Sequence, residues 1–446
     1  MHFLSFLAVC LALSPPLCAA KPNIVLFMAD DFGYECVTAN GGQSYRTPNL
    51  DRLAARGVRF EHCHVQPLCT PTRVQLMTGR YNVRNYLNFG TLPRTETTFA
   101  ELLRKAGYAT GICGKWQLGR EADAPRHFGF DEVCLWQHTR RPPRYANPGL
   151  EYDGREKDFT GGQYGPQLVN DFALDFITRH RERPFLLYYP MILTHDPFQP
   201  TPDSADWDPK AAGEKANRHV KHFGDMVAWM DKMIGRVDAK LGELGIRDNT
   251  LLLFLGDNGT HGSVTSRFQG GDYRGGKGTT THRGTHVPLI ASWPAVIKEG
   301  RVNRDLVSSA DFLPTLCEVA GASVPAGTDG VSFLAQLIGQ PGKPRQWLYC
   351  WYSPRQRADM TVREFAFDHR GKLYRDGRFF DLAADPDETT PLKVAELEGE
   401  AAVAATKLQA VLDRFQNARP AELDRQFEQR TKGVPVAKPK KKRRTG

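Results

Sequence analysis

Asp30 and Asp31 stand together just after the apolar run Ile24 to Met28. Adjacent carboxylates repel one another unless a cation or bases neutralise them. Asp257 and Asn258 stand in the same relation to a second run, Leu251 to Leu255. Together Asp30, Asp31, Asp257 and Asn258 form an oxygen-only donor set, and hard oxygen donors select calcium or magnesium. Between the two pairs lies Cys69-Thr70-Pro71-Thr72-Arg73, followed closely by Thr78-Gly79-Arg80. Thr70-Pro71 reads as an N-cap with proline at the first helical position. Cys69 then precedes a helix N-terminus, where free N–H groups and the dipole favour anions. Lys115 lies in Gly114-Lys115-Trp116-Gln117-Leu118-Gly119 and Lys277 in Gly275-Gly276-Lys277-Gly278. The glycines let backbone approach a ligand closely. His195 follows a third apolar run, Phe185 to Ile192. Singly, each motif is ordinary: a solvated acidic loop, an Asp-Asn-Gly turn, a buried thiol, a structural histidine. Their weight lies in the combination.

The Cys69 to Arg80 string resembles the one that a formylglycine-generating maturation enzyme reads on sulfatases. The chain is similar to the type I, formylglycine-dependent sulfatases of the alkaline phosphatase superfamily. Thr72 stands where that family more often has serine, and it keeps the hydroxyl. The resemblance implies that Cys69 is oxidised to an aldehyde whose hydrate carries two hydroxyls. One attacks sulfur and the other lets the enzyme eject sulfate. It implies calcium, with magnesium as the alternative, held by Asp30, Asp31, Asp257, Asn258 and an oxygen of residue 69. Arg73, Lys115, His195 and Lys277 are the implied catalytic partners of Cys69. Lys115, His195, Lys277 and Gln117 would contact substrate, the lysines stabilising charge on sulfate oxygens. His195 or Lys277 would protonate the leaving alcohol. Gln117 departs from the family, which usually has a histidine there that helps release sulfate. Glutamine hydrogen-bonds but does not titrate near neutral pH. His62, His64, His282 and His286 are candidates to stand in for it.

These residues need rigid elements behind them. Apolar strand-like runs alternate with amphipathic helical patterns. That alternation implies an α/β fold: a large, mainly parallel sheet flanked by helices on both faces. Sites in such folds lie at the carboxyl ends of strands. Thr47-Pro48 opens one helix, and Thr98 with Glu101 makes a capping box for another. Residues 218–244 carry a long helix whose Met226, Trp229, Met230 and Met233 read as core. From about 346 the pattern changes. Short runs at Leu348 to Tyr352, Glu364 to Asp368, Lys372 to Tyr374 and Phe379 to Leu382 suggest a small antiparallel sheet, followed by a helix near 393–416. The organisation read from the chain is a signal peptide at 1–20, a catalytic domain at 21–345, a C-terminal subdomain at 346–430 and a basic disordered tail at 431–446.

A chain of 446 residues can bury a large core. The run Phe3 to Leu13 is shorter than the roughly 20 residues of a membrane span. With Ser-Pro-Pro-Leu-Cys-Ala-Ala after it, it resembles a secretory signal cleaved near Ala20, which implies export to periplasm or medium. No later segment reads as transmembrane. The net charge of +9 is mostly tail: Lys432, Lys438, Lys440, Lys441, Lys442, Arg443 and Arg444 have no acid among them. Such a tail either attracts polyanions or is simply solvated. No nucleic-acid motif accompanies it. Seven of the nine cysteines follow the signal. Disulfides or buried free thiols are both open. The chain thus reads as a secreted sulfuric ester hydrolase cleaving sulfate monoesters, by preference those of a sulfated carbohydrate. Two readings compete: a phosphonate or phosphodiester hydrolase with the same nucleophile, and a catalytically impaired binder of sulfated glycans.

Overall fold

The structure is a computed structural model that describes residues 21–356 and 358–432. The expected signal peptide, and the tail from 433 onward, lie outside the described residues.

Among the described residues twelve strands precede the C-terminal region: β1 (Asn23–Ala29), β2 (Val58–His64), β3 (Ala109–Lys115), β4 (Glu132–Trp136), β5 (Gly149–Tyr152), β6 (Arg155–Asp158), β7 (Phe185–Pro190), β8 (Thr250–Gly256), β9 (Thr265–Phe268), β10 (Gly271–Arg274), β11 (His286–Ser292) and β12 (Arg301–Ser308). Ten of them form one sheet, in the order β12-β2-β11-β8-β1-β7-β3-β4-β5-β6, while β9 and β10 pair as a separate hairpin. The block β8-β1-β7-β3-β4 is parallel throughout. β11 runs antiparallel to both its neighbours, and β5 and β6 add an antiparallel edge. The sheet is therefore mixed, with a parallel centre.

Every residue of β1, β7 and β8 is buried. Continuous apolar strands of this kind occur where helices cover both faces. Side chains alternate across β1. Ile24, Leu26 and Met28 pack with the helices Cys69–Thr78, Phe99–Lys105 and Phe312–Ala320. Val25, Phe27 and Ala29 pack with Pro48–Ala55, Gly165–Arg179 and Phe223–Glu243. Met226, Trp229, Met230 and Met233 lie in this second core, as expected. β6, whose sequence is Arg-Glu-Lys-Asp, is exposed along its length. Charges there blunt an otherwise sticky sheet edge.

Beyond residue 346 come β13 (Leu348–Tyr352), β14 (Arg363–Phe367), β15 (Gly371–Tyr374), β16 (Arg378–Asp381) and β17 (Leu392–Lys393). They form a five-stranded antiparallel meander in chain order. The helix Gly399–Phe415 packs on it through Ala404, Ala405, Leu408 and Leu412. It starts later than the pattern predicted, because β17 and a 3-10 turn occupy 392–396. Its apolar face joins Tyr349, Trp351 and Leu373 to the core of the large sheet without a break. A last helix, Ala421–Thr431, extends into the segment read as the start of the tail. The seven described cysteines are all buried and free. Among the described residues no helix is long and apolar enough to cross a membrane.

Candidate active site

The helix Cys69–Thr78 is buried along its whole length, and Cys69 is its first residue. This corrects one expectation. Leu68, not Thr70, occupies the N-cap, and it makes no side-chain cap bond. Thr70 lies inside the first turn. Its hydroxyl donates to Gln117 Oε1 (3.2 Å) and accepts from the Gly90 N–H (3.2 Å). Pro71 is still tolerated, because the first four helical N–H groups have no partner within the helix.

The strand ends bring the remaining residues to Cys69. Asp30 follows β1, Lys115 ends β3, and Asp257 follows β8. Asp31 takes a left-handed conformation, φ 60°, which turns its N–H onto Asp257 Oδ1 (3.0 Å). Each acid has its own cation. Lys115 Nζ lies 2.9 and 2.7 Å from the two Asp30 oxygens. Lys277 Nζ lies 2.6 Å from Asp31 Oδ2. Arg73 bonds Asp257 Oδ2 (2.9 Å) and the Lys115 carbonyl (3.1 Å). His195 Nε2 lies 3.1 Å from Lys277 Nζ and 3.7 Å from Asp31 Oδ2. Asp30, Asp31, Cys69, Arg73, Lys115, His195, Asp257 and Lys277 thus meet at one centre, while Gln117 reaches it only through Thr70.

Its electrostatics are uneven. Burial alone would raise the Asp30 carboxyl, but Lys115, His195, Arg73 and Lys277 outweigh it and hold Asp30 well below the usual range. Burial likewise opposes His195 and Lys277 at Asp31, and the cations win. Asp257 goes the other way: burial and the Asp30 charge push it up to about 7 despite Arg73. Burial pushes His195 down to about 4, so its imidazole is neutral at pH 7. Burial also raises the Cys69 thiol, which disfavours the thiolate.

A hard cation fits the donors gathered here. Donor atoms of Asp30, Cys69 and Asp257 lie within 4.8 Å of one another. Asn258 Nδ2 donates to Asp31 Oδ1 (2.9 Å) and to the Gly259 carbonyl (3.0 Å). That fixes the amide, and Asn258 Oδ1 is left buried with no hydrogen-bond partner. An orphaned oxygen among three carboxylates is what an oxygen-coordinated dication would satisfy.

Three features escaped the sequence reading. Arg144, buried against the Trp136 ring at 4.0 Å, donates to His195 Nδ1 (3.0 Å) and orients that ring. Thr260 ties the Asp257 loop to the Asp31 loop: it accepts from the Gly33 N–H (3.0 Å) and donates to Glu35 (2.5 Å). The third is a clamp from the small sheet. Lys372 pairs with Glu388 (2.7 Å), both nearly inaccessible, and donates to the Thr280 carbonyl (2.5 Å). Tyr374 OH bonds Thr280 Oγ1 (2.8 Å) and Glu388 Oε2 (2.6 Å). The clamp holds the loop that carries Lys277. None of these had a motif; they are long-range contacts. The histidines offered as substitutes for Gln117 are placed elsewhere. His62, His64, His282 and His286 form one cluster: His62, His64 and Tyr34 stack on His286, and His282 packs tilted against His64 and Phe367. Gln117 bonds only Thr70 and Gln137 among the described residues.

Comparison with known proteins agrees with this geometry. Residues 22–322 match the Sulfatase family model, and residues 277–417 match that of the N-sulphoglucosamine sulphohydrolase C-terminal region. Human arylsulfatase A is 36% identical, with 84% of this chain and 80% of the relative covered. Mouse N-acetylgalactosamine-6-sulfatase is 34% identical, covering 71% of this chain and 66% of its own length. The PsFucS1 sulfatase structure from Pseudoalteromonas sp. superposes with a TM-score of 0.72 at 25% identity, over 90% of this chain and 91% of the other. The chain belongs to the sulfatase family, the sulfate ester hydrolases of the alkaline phosphatase superfamily.

Proposed function

We propose that this sulfatase cleaves sulfate monoesters of a carbohydrate, using a formylglycine made from Cys69 and a calcium ion, or magnesium, held by Asp30, Asp31, Asp257, Asn258 and residue 69. The observation that carries the reading is Cys69 itself. A buried thiol with a raised pKa beside the carboxylates of Asp30 and Asp257 is a poor nucleophile, whereas a neutral hydroxyl at the same place needs no thiolate. Hydrated formylglycine would supply that hydroxyl. A bound dication would act as Lewis acid and orient the attack.

The chain's own side chains supply the rest. Three buried cations match three buried carboxylates, so a dication leaves the centre positive and attractive to a sulfate ester. Lys115 and Lys277 can move part of their charge onto sulfate oxygens as the ester bond breaks. Lys277 keeps its proton at neutral pH, since Asp31 more than offsets the effect of burial. It is the donor for the leaving alcohol. His195, neutral and held by Arg144, contacts the sulfate through its ring nitrogen without adding charge. The same reading takes 21–345 as the catalytic unit with 346–430 as its subdomain, and 1–20 as an export signal. The name of the N-acetylgalactosamine-6-sulfatase relative supports a sugar substrate.

Peptide mass spectrometry across residue 69, on protein from its native host, tests the nucleophile, and a panel of sulfated sugars tests the substrate. Aldehyde at 69 together with sulfate release supports the proposal. An intact thiol in every molecule, with sulfated glycan bound but not cleaved, would move the chain to the binding reading that Gln117 favours.

A further inference from the structure

Beside the nucleophile lies a cleft of about 470 Å3. Its inner wall is Gln117, which Thr70 fastens one residue from Cys69. The cleft opens at the carboxyl ends of β3 and β4, where parallel sheets place their ligands. The residues leaving those two strands are unusual. Gln117 and Gln137 both hold left-handed backbone, φ 57° and 60°, and the Gln117 N–H donates to the Gln137 carbonyl (3.4 Å). Non-glycine residues are held this way chiefly where the surroundings fix them, and such positions gather at ligand sites. Here two amide side chains line one cleft, with Phe89 as an aromatic wall. Amides for hydroxyls and a ring for an apolar sugar face suit a saccharide.

The charge of the cleft narrows this further. Arg120, Arg140 and Arg141 line it. Arg140 is tied to Glu156 and Asp158, and Arg141 to Glu214. Arg120 is exposed and has no ion pair or hydrogen bond among the described residues. Among the described residues one guanidinium without an ion pair therefore lines the cleft, in which Glu121 is the acidic neighbour. We propose that the cleft is the subsite for the sugar adjoining the sulfated one, and that Arg120 pairs with a second anionic group on that sugar, a carboxylate or another sulfate. The proposal rests on the sulfatase reading for where the scissile ester lies. It deepens that reading: the substrate is an oligosaccharide bearing more than one acid group.

The test compares three sulfated disaccharides alike except at the neighbouring sugar, which is neutral, a uronate or sulfated. Wild type, Arg120→Ala and Arg120→Lys are assayed on each, with a small aryl sulfate as reference. The expected result is a kcat/KM for one acidic disaccharide that falls about ten-fold further in Arg120→Ala than that for the neutral one, mainly through KM, with partial recovery in Arg120→Lys. Which acidic disaccharide responds identifies the second group. An equal fall on all substrates, or none, overturns the subsite. If no ester is turned over, calorimetry on the same disaccharides separates the two ideas. Arg120-dependent binding of an acidic disaccharide would keep the subsite while the hydrolase reading fails, and binding indifferent to Arg120 would sink the subsite.

Discussion

Replacing Lys115 by methionine tests whether the carboxylates await a cation. Lys115 and Asp30 form a pair whose side chains are 1% and 0% exposed. Methionine keeps most of the volume and removes the charge, so Asp30 is left buried and unpaired. Breaking such a pair from one side costs about 3–5 kcal/mol. Unfolding entropy near 2.1 cal/mol/K per residue, over 446 residues, makes each kcal/mol worth about 1 °C in Tm. The variant should therefore melt about 3–5 °C lower in chelator. Calcium at about 100 times its Kd adds about 2.7 kcal/mol to the wild type, or about 3 °C. In Lys115→Met the bare Asp30 carboxylate attracts the dication more strongly, so the calcium-induced rise should exceed that of the wild type and recover part of the loss. Differential scanning calorimetry of stripped and calcium-loaded protein, at one scan rate, reads both shifts. A calcium shift in the variant no larger than in the wild type would refute the idea that Lys115 and a cation share the Asp30 charge. No shift in either protein would remove the cation site.

Three further outcomes are expected. Gln117→His, placed on the Thr70 hydroxyl, should raise kcat for sulfate release by about ten-fold or more and bring a pH dependence near the ordinary histidine range; an unchanged kcat and pH profile would deny this position a catalytic part. Burial pushes His64 far down and His286 to about 4, whereas both titrate near 6.5 when unfolded. Stability is then full above about pH 6.5 and falls as pH drops toward 4, by about 1.4 kcal/mol per pH unit for each histidine kept neutral; His64→Gln should flatten the profile of Tm against pH, and an unaltered slope would count against it. Glu388→Gln loosens the clamp on the Lys277 loop and should lower kcat about ten-fold with little change in KM, while Lys115→Met acts on both; a Glu388→Gln effect confined to Tm would make the clamp merely structural.

Much of the fold could be read because the central strands are unambiguous. β1, β7 and β8 are buried on both faces, so they stand out as unbroken apolar runs, and Asp30, His195 and Asp257 after them mark the carboxyl ends. β2 was not legible. It reads Val-Arg-Phe-Glu-His-Cys-His, with intermediate burial at Arg59, Glu61 and His62. Its polar residues find partners far away in the chain or on the strand itself: Arg59 bonds Tyr34 in a 3-10 turn and the Glu61 carboxylate. β6 escaped because its run of exposed charges looks like a loop, and β5, with only four residues, is too short to show a period. The N-cap at Thr70 failed for a different reason. A threonine before a proline does resemble a cap, but here its hydroxyl is taken by Gln117, 47 positions away. Local rules rank partners by proximity in the chain, and a site is where distant partners win.

If Lys277 has the role proposed for it, the small sheet supports the site rather than being an appendage. The centre draws on two kinds of support. Asp30, Lys115 and Asp257 leave strands of the large sheet, whose register fixes them. Lys277 has no such strand; it lies in the loop between β10 and β11. Its backbone is held to the site by Lys277 N–H to Thr260 O (3.0 Å) and Gly278 N–H to Pro67 O (2.9 Å). Those bonds set position only if the loop's far side is fixed too. Lys372, Tyr374 and Glu388 fix it at Thr280, and the pair Arg283–Asp387 (2.6 Å) fixes it three residues on. A catalytic cation on a free loop would lose the close placement that charge stabilisation needs. The continuous core beneath both sheets then follows as a requirement. The meander can hold Lys277 steady only if it is itself immobile against the strands that carry Asp30 and Asp257.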